Sequence, residues 1–278
     1  MSMQRAASTV SRRVLGLLPA AGRARRISPL PMSKELFPIG LVGEQGPLQS
    51  PKVAAGYLLE RMSRAGVKEG FVILRPGKWD IPAYLGDGSS VGGVRLAYLT
   101  VHVSLGVPFT LDQAYPFVRG ETVALGFPDI LFWPENAYEL VLQRLWSNKA
   151  DMVLGLFPTD EPDKVGVVDV DADGQVRGIY EKSDFTHLPH MWAIAVWGAR
   201  FTEYLHDFTG STKHGNAPRT LAEQDDDGKS VVEIPIGDVI HAALHAGLRV
   251  EAETFRDGRY IDIGTPENLV RAIREQLP

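Results

Sequence analysis

Apolar runs of strand length alternate along this chain with segments whose apolar residues recur at helical spacing, and that alternation leaves few folds open. The run Val14-Leu15-Gly16-Leu17-Leu18-Pro19 and the stretches 71–74, 122–126 and 152–157 have the length of buried strands. Between them, the spacing predicts helices over 52–65, 79–85, 111–118 and 135–146, the first with Gly66 as its stop. Further on, 165–171 and 176–180 flank Asp173-Gly174, a hairpin signal, and the apolar stretch 191–197 precedes a helix beginning at 201–208. A helix over 233–245, a strand over 248–255 and a terminal helix over 266–276 with proline in its first turn complete the pattern. Alternation without internal repeats predicts an α/β fold, a mostly parallel sheet with helices on both faces and an antiparallel extension.

No Pro/Ser/Gly-rich linker divides the 278 residues, and 44% hydrophobic residues are ample for one large core. The polar break 209–230, with Asp225-Asp226-Asp227, reads as a surface loop, so a single domain over 13–278 is expected after an extended segment 1–12. A net charge of −5 argues against a nucleic-acid partner, and no apolar run is long enough to span a bilayer. Zero cysteines exclude disulfides and thiolate chemistry, which suits a cytoplasmic location. The arginine-rich, acid-free amino terminus also has the look of a transit or signal peptide. Against that, the apolar run is short and arginines follow it, a poor cleavage context.

The first strand runs directly into Ala20-Ala21-Gly22, then Arg23, Arg25, Arg26, Ser28 and Lys34, with no acidic residue before Glu35. Small residues let backbone amides approach a ligand closely while basic side chains neutralise it, the chemistry of a polyphosphate cradle. Neither the dinucleotide glycine spacing nor a Gly-Lys-Ser/Thr sequence is present. The loop resembles that of the sugar-phosphate nucleotidyltransferases, in which an apolar strand leads into Gly-x-Gly-x-Arg, a proline and a lysine. On that match Gly22 is the first glycine, Ala24 stands where the second is usual, Arg26 is the arginine and Lys34 the lysine. Other landmarks follow in order: Tyr84-Leu85-Gly86-Asp87-Gly88-Ser89, Asp163-Lys164-Val165-Gly166-Val167-Val168, Glu181-Lys182 and Tyr260-Ile261-Asp262-Ile263-Gly264-Thr265-Pro266.

The resemblance implies a Rossmann-like, GT-A-type nucleotide half fused to a sugar-binding half, acting on a nucleoside triphosphate and a sugar 1-phosphate with Mg²⁺. Asp129 follows an apolar strand and so lies at a strand's carboxyl end, where open α/β sheets bind ligands; the resemblance pairs it with Asp262 as metal ligands. It further implies that Arg26 and Lys34 hold the triphosphate and Lys182 the sugar phosphate, with Ala21, Gly22, Gly166 and Glu181 lining the substrates. For the base, His102, Asp112 and Gln113 are on offer, and Gln113 is the residue chosen; the family's Gln-Pro pair is absent. Ser183 replaces a family proline, and Trp192 falls where a sugar pocket of small residues is usual. Monomer and homo-oligomer both remain open. Two rivals stand beside the enzyme: a non-catalytic nucleotide-sugar sensor of the same fold, and a glycosyltransferase using Asp169-Val170-Asp171 as a metal motif. His187 and His190 read as loop residues.

Overall fold

A computed structural model describes residues 12–43, 49–101, 105–182, 187–213, 222–224 and 230–275. The first apolar run forms β1 (Val14–Pro19), followed by a short antiparallel pair, β2 (Pro38–Val42) and β3 (Ser50–Val53), and by helix α1 (Ala54–Arg64). Next come β4 (Glu69–Leu74), α2 (Asp80–Leu85), β5 (Arg95–Thr100), α3 (Val107–Asp112) and α4 (Tyr115–Val118). The alternating half closes with β6 (Thr122–Gly126), β7 (Ile130–Trp133), α5 (Ala137–Asn148) and β8 (Met152–Pro158). The hairpin β9 (Gly166–Val170) and β10 (Val176–Glu181) leads to the long β11 (His190–Trp197) and α6 (Ala199–Lys213). Then follow β12 (Ala222–Gln224), β13 (Ser230–Val232), α7 (Ile236–His245), β14 (Val250–Thr254), β15 (Arg259–Asp262) and α8 (Pro266–Arg274).

Nine strands form one sheet in the order β10-β9-β11-β6-β1-β4-β5, with β8 also pairing β11 and β14 pairing β8. Strands β6, β1, β4 and β5 are mutually parallel, whereas β11 runs antiparallel to β6, β8 and β9. One face is covered by α1 and α5 through Leu58, Leu59, Met62, Tyr138, Val141 and Leu145. The other carries α3, α6 and α7 through Phe109, Leu111, Phe201, Leu205, Val239 and Ile240. This is the expected α/β arrangement with helices on both faces. From β1 the chain builds outward to β4 and β5, then returns to the other side of β1 as β6. A crevice at the carboxyl ends of these strands is the consequence of that reversal.

Two expectations need correcting. The helix expected over 111–118 starts at Val107, after Gly106 with φ +115°, and breaks between Asp112 and Tyr115. Pro108 and Pro116 explain both boundaries, because each suits a helix's first turn and supplies no N–H to a helix interior. The polar break expected from 209 begins inside α6, where Thr209 is fully buried and donates to the His206 carbonyl at 2.9 Å. The extension 1–11, His102, Ser183 and Asp225-Asp226-Asp227 lie outside the described residues. Among the described residues, no helix is long and apolar enough to cross a membrane.

Candidate active site

The basic loop leaves β1 at the carboxyl edge. Its first residue, Ala20, donates to the Ile73 carbonyl at 2.8 Å, which extends the β1–β4 pairing into the loop. Ala21 packs partly buried on the α3 side, and the space beside Gly22 is open, with no atom within 4 Å of where a Cβ would stand. Ala24 adopts φ +54°, the left-handed conformation that glycine takes freely. Its carbonyl accepts from the Ile27 and Ser28 amides at 3.1 and 3.0 Å, so the loop keeps a glycine-type turn with an alanine in it. Ser33 anchors the far side, donating through its amide and hydroxyl to Asp80 at 2.6 and 2.8 Å.

Lys34 and Glu35 follow in a single 3₁₀ turn, Lys34–Leu36. The Lys34 ammonium donates to the Asp129 carboxylate, and each side chain is 13% exposed. Behind them Lys78 donates to Glu35 at 2.6 Å, and both residues are buried. Burial raises the Glu35 pKa even against the pull of Lys78, and its second oxygen has no hydrogen-bond partner among the described residues.

Strand pairing brings the second aspartate here. β15 runs antiparallel to β7 with Asp262 opposite Ile130, and the Ile263 amide donates to the Asp129 carbonyl at 3.0 Å. Arg26 reaches Asp262 at 3.4 Å, and the Gly264 amide donates to the same carboxylate at 2.8 Å. A Cβ at Gly264 would lie 2.8 Å from the Asp262 oxygen and 2.9 Å from Arg26, so any side chain there would displace one of them. Burial and the charge of Asp129 push Asp262 above the ordinary carboxylate range. Burial alone would raise Asp129 too, but Lys34 holds it below that range. In return, Asp129 more than offsets the lowering that burial imposes on Lys34. Two adjacent carboxylates held by cationic side chains form an oxygen donor set that suits Mg²⁺, which takes one or two carboxylates beside phosphate oxygens and water.

On the antiparallel side, Gly166 pairs with Glu181 across β9 and β10. A Cβ at Gly166 would lie 2.7 Å from the Glu181 carboxyl and 2.9 Å from the Trp192 indole nitrogen. Burial, with the charge of Asp238, pushes Glu181 up to about 7 against hydrogen bonds from Trp192 and the Gly237 amide. Trp192 is therefore buried beneath Glu181, where it also packs on Phe127 at 5.9 Å. Lys182 is exposed and left-handed at φ +45°, with its amide donating to the Val165 carbonyl at 3.1 Å.

Gln113 is placed elsewhere. α3 starts at the carboxyl edge and runs back toward the opposite one, because the strand that follows, β6, is parallel to β5. Gln113 follows the last residue of that helix, its side-chain Nε2 donating to the Phe109 carbonyl at 3.2 Å. Asp112 pairs with His206 at 2.8 Å beside a small cavity that Trp197 also lines, and Trp197 faces Val123 near the start of β6. Neither residue belongs to the Asp129 cluster. Asp171 serves the hairpin turn, one of its carboxylate oxygens accepting from the Asp173 and Gln175 amides at 3.0 and 2.9 Å. The sequence reading missed the Glu35–Lys78 pair and the Ser33–Asp80 anchor, since nothing in spacing links residues that meet only through tertiary contact.

A crevice at a strand-order reversal, here lined by a basic loop and two carboxylates, is where open α/β folds bind ligands. The chain belongs to the nucleotidyl transferase family, which it matches over residues 15–277. It is 24% identical over 262 residues to the low-salt glycan biosynthesis nucleotidyltransferase of Haloferax volcanii, covering 92% of this chain and 64% of that one. To glucose-1-phosphate thymidylyltransferase of Mycolicibacterium smegmatis it is 28% identical over 172 residues, 60% of this chain and 54% of the other. The chain thus spans less than two thirds of the length of either curated relative. The fold matches that of UDP-glucose pyrophosphorylase complexed with UDP-glucose, with a TM-score of 0.72, 16% identity and coverage of 95% and 98%.

Proposed function

We propose that this protein is a sugar-1-phosphate nucleotidyltransferase, joining a nucleoside triphosphate, dTTP or UTP, to a sugar 1-phosphate and releasing pyrophosphate. The meeting of Asp129 and Asp262 beside Lys34 and Arg26 at the carboxyl edge carries this reading. A phosphate oxygen of the sugar 1-phosphate attacks the α-phosphorus in line, the bond to the bridging oxygen breaks, and pyrophosphate departs with the electron pair. Such a reaction asks the protein for positioning and charge neutralisation more than for covalent work.

Arg26 neutralises the β and γ phosphates, and Lys34 holds the triphosphate in the loop. Asp129 and Asp262 would hold Mg²⁺, which would supply charge neutralisation at the phosphates. Lys182 orients the attacking phosphate, while Glu181 and Gly166 face the sugar. Ala24 does not disable the loop, since its backbone already takes the left-handed turn. Pyrophosphate release, followed with a panel of sugar 1-phosphates and nucleoside triphosphates, tests the proposal. Asp262→Asn is expected to lower turnover at least a hundredfold, on the order of removing one transition-state contact. Undiminished turnover in that variant refutes the metal assignment. Nucleotide-sugar binding with no pyrophosphate formed from any pair identifies a sensor instead.

A further inference from the structure

Arg75 is a charged residue at the carboxyl edge that this mechanism does not use. It follows β4 directly, and the Lys78 amide donates to its carbonyl at 3.3 Å to close a turn. The Ala20 amide donates to the Ile73 carbonyl and the Val101 amide to the Leu74 carbonyl, each at 2.8 Å. Continuing the registers Pro19 to Ile73 and Thr100 to Leu74 therefore sets Arg75 between Ala21 and Val101. Among the described residues, its guanidinium has no carboxylate partner. The Nε is buried without a hydrogen bond, and Nη1 donates only to the neighbouring Pro76 carbonyl at 3.4 Å. By contrast, Arg13, Arg64 and Arg144 each reach two glutamates. An N–H that is buried and unpaired among the described residues costs stability unless an acceptor reaches it.

Its position decides which part of a nucleotide that acceptor belongs to. On the proposed function, the phosphates are fixed on the β6 side of β1, where Lys34 and Arg26 meet Asp129 and Asp262. Arg75 stands on the other side of β1, two strand spacings or roughly 10 Å from the end of β6. Extended across β1 toward β4 and β5, a nucleoside anchored by its phosphates at Asp129 would bring its base to Arg75. We propose that Arg75 reads the base of the triphosphate and selects bases with a carbonyl, rather than an amino group, at the pyrimidine 4 or purine 6 position. A guanidinium only donates, so at that position it matches O4 of uracil and thymine and O6 of guanine and opposes the amino groups of cytosine and adenine. Guanine can take two of its N–H groups at O6 and N7.

This inference rests on the proposed function, and its test separates the two. Binding of GTP, UTP, dTTP, ATP, CTP and inorganic tripolyphosphate is measured by calorimetry on the full chain and on Arg75→Met and Arg75→Lys, each checked for an unchanged thermal transition. The unsubstituted protein is expected to bind GTP, UTP or dTTP at least about tenfold tighter than ATP or CTP. Arg75→Met brings that ratio near one and leaves tripolyphosphate unaffected. Arg75→Lys, which keeps the charge but not the fork, lowers the ratio about tenfold while nucleotides still bind. Unaltered base preference in the variants, a preference for ATP or CTP in the parent, or equal weakening of every ligand including tripolyphosphate overturns the role of Arg75 alone. A parent protein that binds neither nucleotide nor tripolyphosphate overturns the nucleotidyltransferase reading together with it.

Discussion

Replacing Lys34 by methionine removes the cation that keeps Asp129 ionised, and the consequence can be sized from the structure. Both side chains are 13% exposed, so their pairing lies in a medium well below bulk water in polarity. Unit charges 4 Å apart attract by about 4 kcal/mol at an effective dielectric near 20. Breaking such a pair by removing one partner destabilises by about 3 to 5 kcal/mol, because the other charge stays buried without compensation. Asp262 adds to the cost, since its own carboxylate repels Asp129. In the native protein the depressed pKa of Asp129 contributes stability that is present above its unfolded value and is lost as pH falls through the folded one. Without Lys34, burial and Asp262 instead raise Asp129, so the penalty is full near pH 8 and shrinks as pH falls toward 5.

Urea denaturation across that range, in the presence of a chelator, measures both features. The double variant Lys34→Met with Asp129→Asn is expected to lose less stability than Lys34→Met alone, because no orphaned charge remains. A loss below about 1 kcal/mol near pH 8, or a double variant at the additive sum, shows that the pair does not act as described.

Other substitutions test the remaining geometry. Lys78→Met leaves Glu35 buried and unpaired and should cost about 3 kcal/mol in denaturant unfolding, with Glu35→Gln added to it recovering part of that loss. Ala24→Gly is expected to change stability by less than about 0.5 kcal/mol, because relief of left-handed strain is offset by a more flexible unfolded chain. Ala24→Val, β-branched at the same φ, lowers both the thermal midpoint and turnover. Gly166→Ala crowds Glu181 and should raise KM for the sugar 1-phosphate with little change in KM for the nucleotide. Glu181 ionises only near pH 7, so its charged form opposes folding, and stability falls as pH rises from its unfolded value to about 7. Glu181→Gln should flatten that slope in pH-dependent unfolding curves.

Much of the fold was legible because its signals are local. The run at β1, the helical spacing of Tyr57, Leu58 and Met62, and the Asp173-Gly174 hairpin each state their structure within a few residues. Strands β7 and β15 were not seen, since four residues carry no readable periodicity. Gln113 offers a base contact only from its place along the chain, and the direction of α3, which decides where it points, depends on which strand follows and where it pairs.

By itself, the sequence determined an α/β chain with a phosphate-type loop after its first strand, because apolar periodicity and a cluster of basic residues are properties of neighbours along the chain. Tertiary structure alone decided that Asp262 stands beside Asp129, that Lys34 neutralises one of them and Lys78 lies behind, and that Arg75 has no carboxylate partner among the described residues. Those facts turn on charges meeting across space in a partly dehydrated crevice, where strand pairing sets the distances and burial sets their energies.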